Sequence, residues 1–227
     1  MLYPFLYAGG TGLDTLLEDV RRSTVDKANE IVRLRETVLE DYAEELAACA
    51  ARMADAFRGG GRLFTFGNGG SSTDAQDVAA LFLNPGGTAR PLPALALTND
   101  AAVVTALSND IGFEVVFARQ LAAFGRPGDI ALALSTSGNS DNLIAALREA
   151  SRRGMTVVGL AGYTGGQMAE TPGTHHLFVV PSSSVHRIQE AQTTIYHALW
   201  ELTQRELTRG GLTRGEPTPG EPTRGDR

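Results

Sequence analysis

Five short apolar runs, spaced between helical stretches, constrain this chain most. They are "RLFTF" (62–66), "PLPALAL" (91–97), "DIALALS" (129–135), "TVVGLAG" (156–162) and "HLFVVP" (176–181). Each is short and flanked by turn-forming residues, which reads as strand. Helical patterns fill the intervals: about 73–83, 99–124 with a break at "SNDIGF", a stretch reaching 153, and 184–208. "GGQMAET" reads as a short helix or loop. Apolar strands alternating with helices imply a parallel sheet covered on both faces. The expected fold is therefore a three-layer α/β/α sandwich around a five-stranded parallel sheet.

Two helical patterns precede that core. Leu13, Leu16, Leu17 and Val20 mark the first, and Leu39, Tyr42, Leu46, Cys49 and Met53 mark a longer one over about 24–57. "RGGGR" (58–62) stops it. The chain divides into an arm with long helices (1–58), the α/β domain (59–208) and a tail (209–227). The helices are expected to pack on the core or on a neighbouring subunit. The tail has too few apolar residues to bury a core and reads as disordered. The start, "MLYPFLYAGG", lacks a basic opening and is too short to cross a membrane. It reads as a leader or docking arm.

Charge narrows the function. Twenty basic against 26 acidic residues give a net charge of −6, which argues against a nucleic-acid binder. The single cysteine, Cys49, allows no intrachain disulfide and sits in a helical pattern as a core residue. A cytoplasmic protein with no membrane partner is expected.

Two turns carry the chemistry. "TFGNGGSSTDAQ" and "LSTSGNSDN" each lead from a strand into a helix. Ser71, Ser72 and Thr73 in the first, and Ser135, Thr136, Ser137 and Ser140 around Gly138 in the second, can cap those helices or donate to a ligand. A helix start favours an anion, and a phosphate is held by many neutral donors in one concavity. One such turn alone is explained by capping. Two turns at strand C-termini, both rich in hydroxyls, favour a shared phosphate site. Neither matches GxGxxG, and neither carries the GK[ST] of a nucleotide loop, so no nucleotide cofactor is expected.

The last helix adds a polar stripe. His186, Gln189, Glu190, Thr193 and His197 fall three, one, three and four apart. A solvated face accounts for such a stripe; two histidines, a Gln and a Glu on it favour a site.

Together "FGNGGSSTDA", "LSNDIGF", "ALSTSGNSDNLIAAL" and "RIQEAQTTIYH" resemble the sugar isomerase (SIS) domain, and within it the phosphoheptose isomerases. The resemblance covers roughly 30–207. It implies conversion of sedoheptulose 7-phosphate to D-glycero-D-manno-heptose 7-phosphate through an enediol, in a homotetramer. It also implies roles. Ser135, Thr136, Ser137 and Ser140 would hold the phosphate. Asn68, Gly69, Gly70, Ser71, Asn109 and Asp110 would line the sugar. Gln189 and His197 would face the reacting carbons.

The same resemblance implies a zinc site made of a His and a Glu of the first-turn helix with Gln189 and His197. Here the His position is Asp77 and the Glu position, the family's proposed base, is Leu81. One zinc or other divalent ion on Asp77, Gln189 and His197 is chemically allowed. Asp77, Glu190 and His197 are then the candidate proton carriers. The alternatives are a non-catalytic sugar-phosphate binder or adaptor, and an isomerase of another sugar phosphate. His175, just ahead of the fifth run, and His176, at its very start, read as loop residues without a metal.

Overall fold

The computed structural model describes residues 13–211. Helix α1 (Leu13–Arg58) leads into β1 (Leu63–Gly67), α2 (Gly70–Leu83), β2 (Ala94–Ala96) and α3 (Ala101–Asp110). A 3₁₀ turn (Phe113–Val115) joins α4 (Val116–Phe124), β3 (Ile130–Leu134) and α5 (Asp141–Arg152). The chain continues through β4 (Thr156–Gly162), α6 (Gly166–Glu170), β5 (His176–Val180) and α7 (Val185–Gly211).

The sheet is five-stranded in the order β2-β1-β3-β4-β5, and each pairing is parallel. β1, β3 and β4 are buried along their whole length, as expected of strands covered on both sides. Successive side chains alternate between two cores. Leu63, Ile130, Leu132, Leu134, Val158 and Phe178 face a layer of α1, α2 and α7. Phe64, Phe66, Ala131, Ala133 and Val157 face α4 and α5. Each Leu, Ile or Phe so buried stabilises the fold by about 1.5–3 kcal/mol relative to exposure. The three-layer architecture read from the sequence is the one present.

Some expected boundaries move, for local reasons. The two N-terminal helical patterns are one helix, because no Gly or Pro interrupts 13–58. β2 shrinks to three residues at the sheet edge, where Pro91 and Pro93 cannot donate to a ladder. α2 starts at Gly70, three residues earlier than the expected 73. His176 is not a loop residue: it opens β5, is buried, and its Nδ1 lies 2.7 Å from Glu45 Oε1 of α1. Cys49 is fully buried, and desolvation pushes its thiol well above the usual range, so it is core and no nucleophile. The opening "MLYPFLYAGG" and nearly all of the tail lie outside the described residues.

The topology positions the site. After β1 the chain crosses through α2 on one face. After β3 it crosses through α5 on the other. β1 and β3 are neighbours, so a crevice opens between their C-terminal ends, where open α/β sheets bind ligands.

Candidate active site

The two Ser-rich turns meet in that crevice. A side-chain pair joins them: Asn68 Nδ2 donates to Asn142 Oδ1, and Asn142 Nδ2 donates back to Asn68 Oδ1, both at 2.9 Å. The cavity beside this pair is about 80 Å³. Asn68, Ser71, Ser135, Thr136, Ser137 and Ser140 line it, over a floor of Leu134 and Leu143. It is a small cup of hydroxyls and amides at two helix starts, suited to one anionic group.

The cup is held from several sides. Ser135 Oγ accepts from Gly138 N at 2.9 Å, and Gln192 Nε2 of α7 donates to Ser135 O at 2.8 Å. From α6, Met168 N donates to Gly138 O and Gln167 N to Asn139 Oδ1, each at 2.9 Å. Gly138 adopts φ +69°, and a Cβ there would stand 2.0 Å from Gly165 O. Only glycine fits. The sequence marked the serines but missed Asn142, Asn139 and Gln192. Their signal was weak: Asn142 and Gln192 are single amides on helices, and Asn139 is one more polar residue of the turn.

The serines of the first turn are not helix caps. Gly69 is the N-cap of α2 and no side chain caps it, so Ser71 and Ser72 lie within the first turn. Capping therefore does not consume the Ser71 hydroxyl.

From the cup a polar seam runs between α2 and α7. Gln189 lies over the turn, so closely that a Cβ on Gly70 would come within 2.5 Å of its Nε2. That nitrogen donates to Asp74 Oδ2 at 3.1 Å. Two α7 turns further, Tyr196 Oη donates to Asp77 Oδ2 at 2.6 Å. His197 is exposed and its ring stacks on Tyr196 at 5.2 Å. Asp77 lies six residues past Ser71, about 9 Å along α2, roughly the reach of an extended seven-carbon sugar.

The polar stripe of α7 is divided between two neighbours. Gln189 leans towards α2, as does Tyr196 beside the stripe. Glu190 pairs instead with Arg187, whose Nε also reaches Glu30 of α1 at 3.4 Å. Asn109 and Asp110 sit exposed at the end of α3, where Asn109 Nδ2 donates to Asp110 Oδ1 at 2.8 Å, and neither lines the cup.

Electrostatics sort the seam. Burial, with the charge of nearby Asp77, raises the Asp74 pKa, while the Gln189 hydrogen bond lowers it. Burial and the Asp77 carboxylate hold the Tyr196 phenol protonated, far above its usual range. Tyr196 is therefore a fixed donor.

The SIS domain family profile matches residues 28–162. The phosphoheptose isomerase of Aquifex aeolicus (strain VF5) is 42% identical over 176 residues, 77% of this chain and 91% of that protein. That of Roseiflexus sp. (strain RS-1) is 42% identical over 185 residues, 81% and 93% of the two chains. Among solved structures, phosphoheptose isomerase GmhA from Neisseria gonorrhoeae superposes with a TM-score of 0.76 at 34% identity, over 82% of this chain and 99% of that one.

The chain belongs to the phosphoheptose isomerase family.

Its metal position departs from what resemblance to phosphoheptose isomerases implies. Zinc takes three or four converging thiolate, imidazole or carboxylate ligands. Among the described residues, no three His, Cys, Asp or Glu side chains gather to hold a metal. Asp77 is bonded to Tyr196, and Gln189 turns its non-ligating nitrogen to Asp74. Leu81 packs against the core cluster of this face, as does Trp200. The residues present do not fit a zinc site.

The amide pair that joins the turns is itself testable. Asn142→Ala leaves Asn68 without its partner and is expected to lower stability by about 1–3 kcal/mol. Urea unfolding should show a lower midpoint at an unchanged slope. An unchanged midpoint would mean that other contacts hold the turns together.

Proposed function

We propose that this protein is an aldose–ketose isomerase that converts D-sedoheptulose 7-phosphate to D-glycero-D-manno-heptose 7-phosphate. One observation carries the reading: a hydroxyl-lined cup at the sheet's switch point opens onto a seam bearing a carboxylate and a histidine. Membership of the phosphoheptose isomerase family supplies the substrate class.

The cup takes the phosphate. Ser135, Thr136, Ser137 and Ser140 donate to it, and both helix starts favour its charge. Asn68, Gly69, Gly70, Ser71 and Gln189 line the sugar. Asp77 takes a proton from C1 of the ketose. The C–H electron pair becomes the C1–C2 double bond, while the C2 carbonyl oxygen takes a proton from His197. Return of a proton to C2, with loss of the C1 hydroxyl proton, gives the aldose. Neither carbon needs an outside oxidant. Glu190 is held by Arg187 and is not assigned the step.

Assembly as a cytoplasmic homotetramer belongs to the same reading. Val25, Val32 and Leu39 recur every seven residues on α1 and are exposed, which supports a covering subunit. The exposed Asn109 and Asp110 would then reach a sugar across such an interface. Among the described residues no helix is long and apolar enough to cross a membrane.

The test is to incubate sedoheptulose 7-phosphate with the protein in heavy water and follow C1 and C2 by NMR. Deuterium incorporation with appearance of the aldose is expected. Binding without exchange or product, with or without added divalent metal, overturns the reading in favour of a sugar-phosphate binder.

A further inference from the structure

We infer that Tyr196 is a positioning residue for Asp77, and that the two form a proton-transfer site that works without a bound metal. The inference rests on the isomerase reading above and assigns a task to a residue the sequence did not single out.

The argument begins with geometry. Tyr196 is 2% exposed, and a buried phenol needs a partner for its hydroxyl. Its partner is Asp77 Oδ2, at 2.6 Å. Asp77 stands on the exposed edge of α2, where a carboxylate is otherwise free to turn. The hydrogen bond fixes one oxygen and leaves Oδ1 to take the substrate proton. Charge-assisted bonds of this kind are the strong ones. A precisely held base gains rate over a mobile one because the reacting atoms start in place.

The metal donors are missing for the same reason. Gln189 donates its Nε2 to Asp74 at 3.1 Å, which ties that side chain to Asp74, one turn before Asp77. His197 is exposed and stacked on Tyr196, and among the described residues it belongs to no group of three His, Cys, Asp or Glu side chains that could hold a metal. Leu81, one helical turn past Asp77, closes that end of the seam with an apolar side chain packed against the core. A divalent ion needs several oxygen or nitrogen ligands on one point, and the seam supplies an aspartate already engaged by a phenol.

Three measurements test this. First, the protein is treated with a chelator, gel-filtered and analysed for metal by mass spectrometry. It is expected to contain less than stoichiometric metal, to retain its turnover of sedoheptulose 7-phosphate, and to show no rise in melting temperature on adding zinc. Loss of turnover on chelation with recovery on adding zinc overturns the proposal. Second, Tyr196→Phe, which keeps the ring, is expected to lower kcat about tenfold, the worth of one hydrogen bond, at unchanged KM. An unchanged kcat, or a loss confined to KM, overturns it. Third, Tyr196→Phe is placed in the Asp77→Asn background and C1/C2 exchange is followed. The double variant is expected to be no slower than Asp77→Asn alone, because Tyr196 acts through Asp77. Additive losses overturn it. Absence of turnover in the untreated wild type is a separate result, which overturns the isomerase reading itself.

Discussion

Asp77→Asn is expected to lower kcat for sedoheptulose 7-phosphate by about 10²–10⁴, the usual worth of a positioned proton carrier. The reason lies in one atom. An asparagine keeps the shape and an oxygen that can still accept from Tyr196, so the α2–α7 contact survives. It cannot take a proton from carbon. KM should change little, because the phosphate cup lies about 9 Å away along α2 and contains no atom of Asp77. Steady-state kinetics with the deuterium-exchange assay separate the two quantities. A kcat within a few-fold of wild type would move the proton transfer to another group, and Glu190 would then be the next carboxylate to replace. The substitution also removes a negative charge that helps to raise the Asp74 pKa. Asp74 should therefore titrate lower in the variant, closer to an ordinary carboxyl group.

Gly138→Ala is expected to damage binding and stability together. The backbone there has φ +69°, which costs an L side chain roughly 1–2 kcal/mol. Its new Cβ would also stand 2.0 Å from Gly165 O and 2.6 Å from Gly165 C, so backbone must move. Moving the turn breaks the bonds from Met168 N and Gln167 N that pin it to α6. The serines of the cup then lose their common geometry. A misplacement of this kind should lower kcat/KM about 100-fold or more, and melting should fall by roughly 5–10 °C. Sedoheptulose 7-phosphate should raise the melting temperature of the wild type and leave that of the variant unmoved. A variant with wild-type KM would show that the turn's conformation is unimportant for the phosphate.

Much of the fold was legible because it depends on local pattern. Runs such as "IALAL" and "VVGLAG" are apolar at every position, which only a strand covered on both faces can use. Boundaries were less legible. The first turn's glycines looked like a loop up to Ser72, yet α2 begins at Gly70, because Gly69 reverses the chain without a side-chain cap. His176 looked like loop and is strand, with its Nδ1 set against Glu45 of α1, distant in sequence. The stripe on α7 was correctly seen as polar, but its spacing could not say that Glu190 turns to Arg187 while Gln189 turns to Asp74.

By itself the sequence determined the layers of this protein, the two anion-friendly turns and the family to which they belong. The layers follow from residue periodicity, the turns from backbone chemistry within a few positions, and the family from the resemblance of four motifs to known sequences. Only the tertiary structure decided which donors share a cup, through the Asn68–Asn142 pair, and which partner Asp77 takes. Those contacts join residues 74 and 119 positions apart. No local pattern encodes such distances; the packing of α5 beside the first turn and of α7 against α2 creates them.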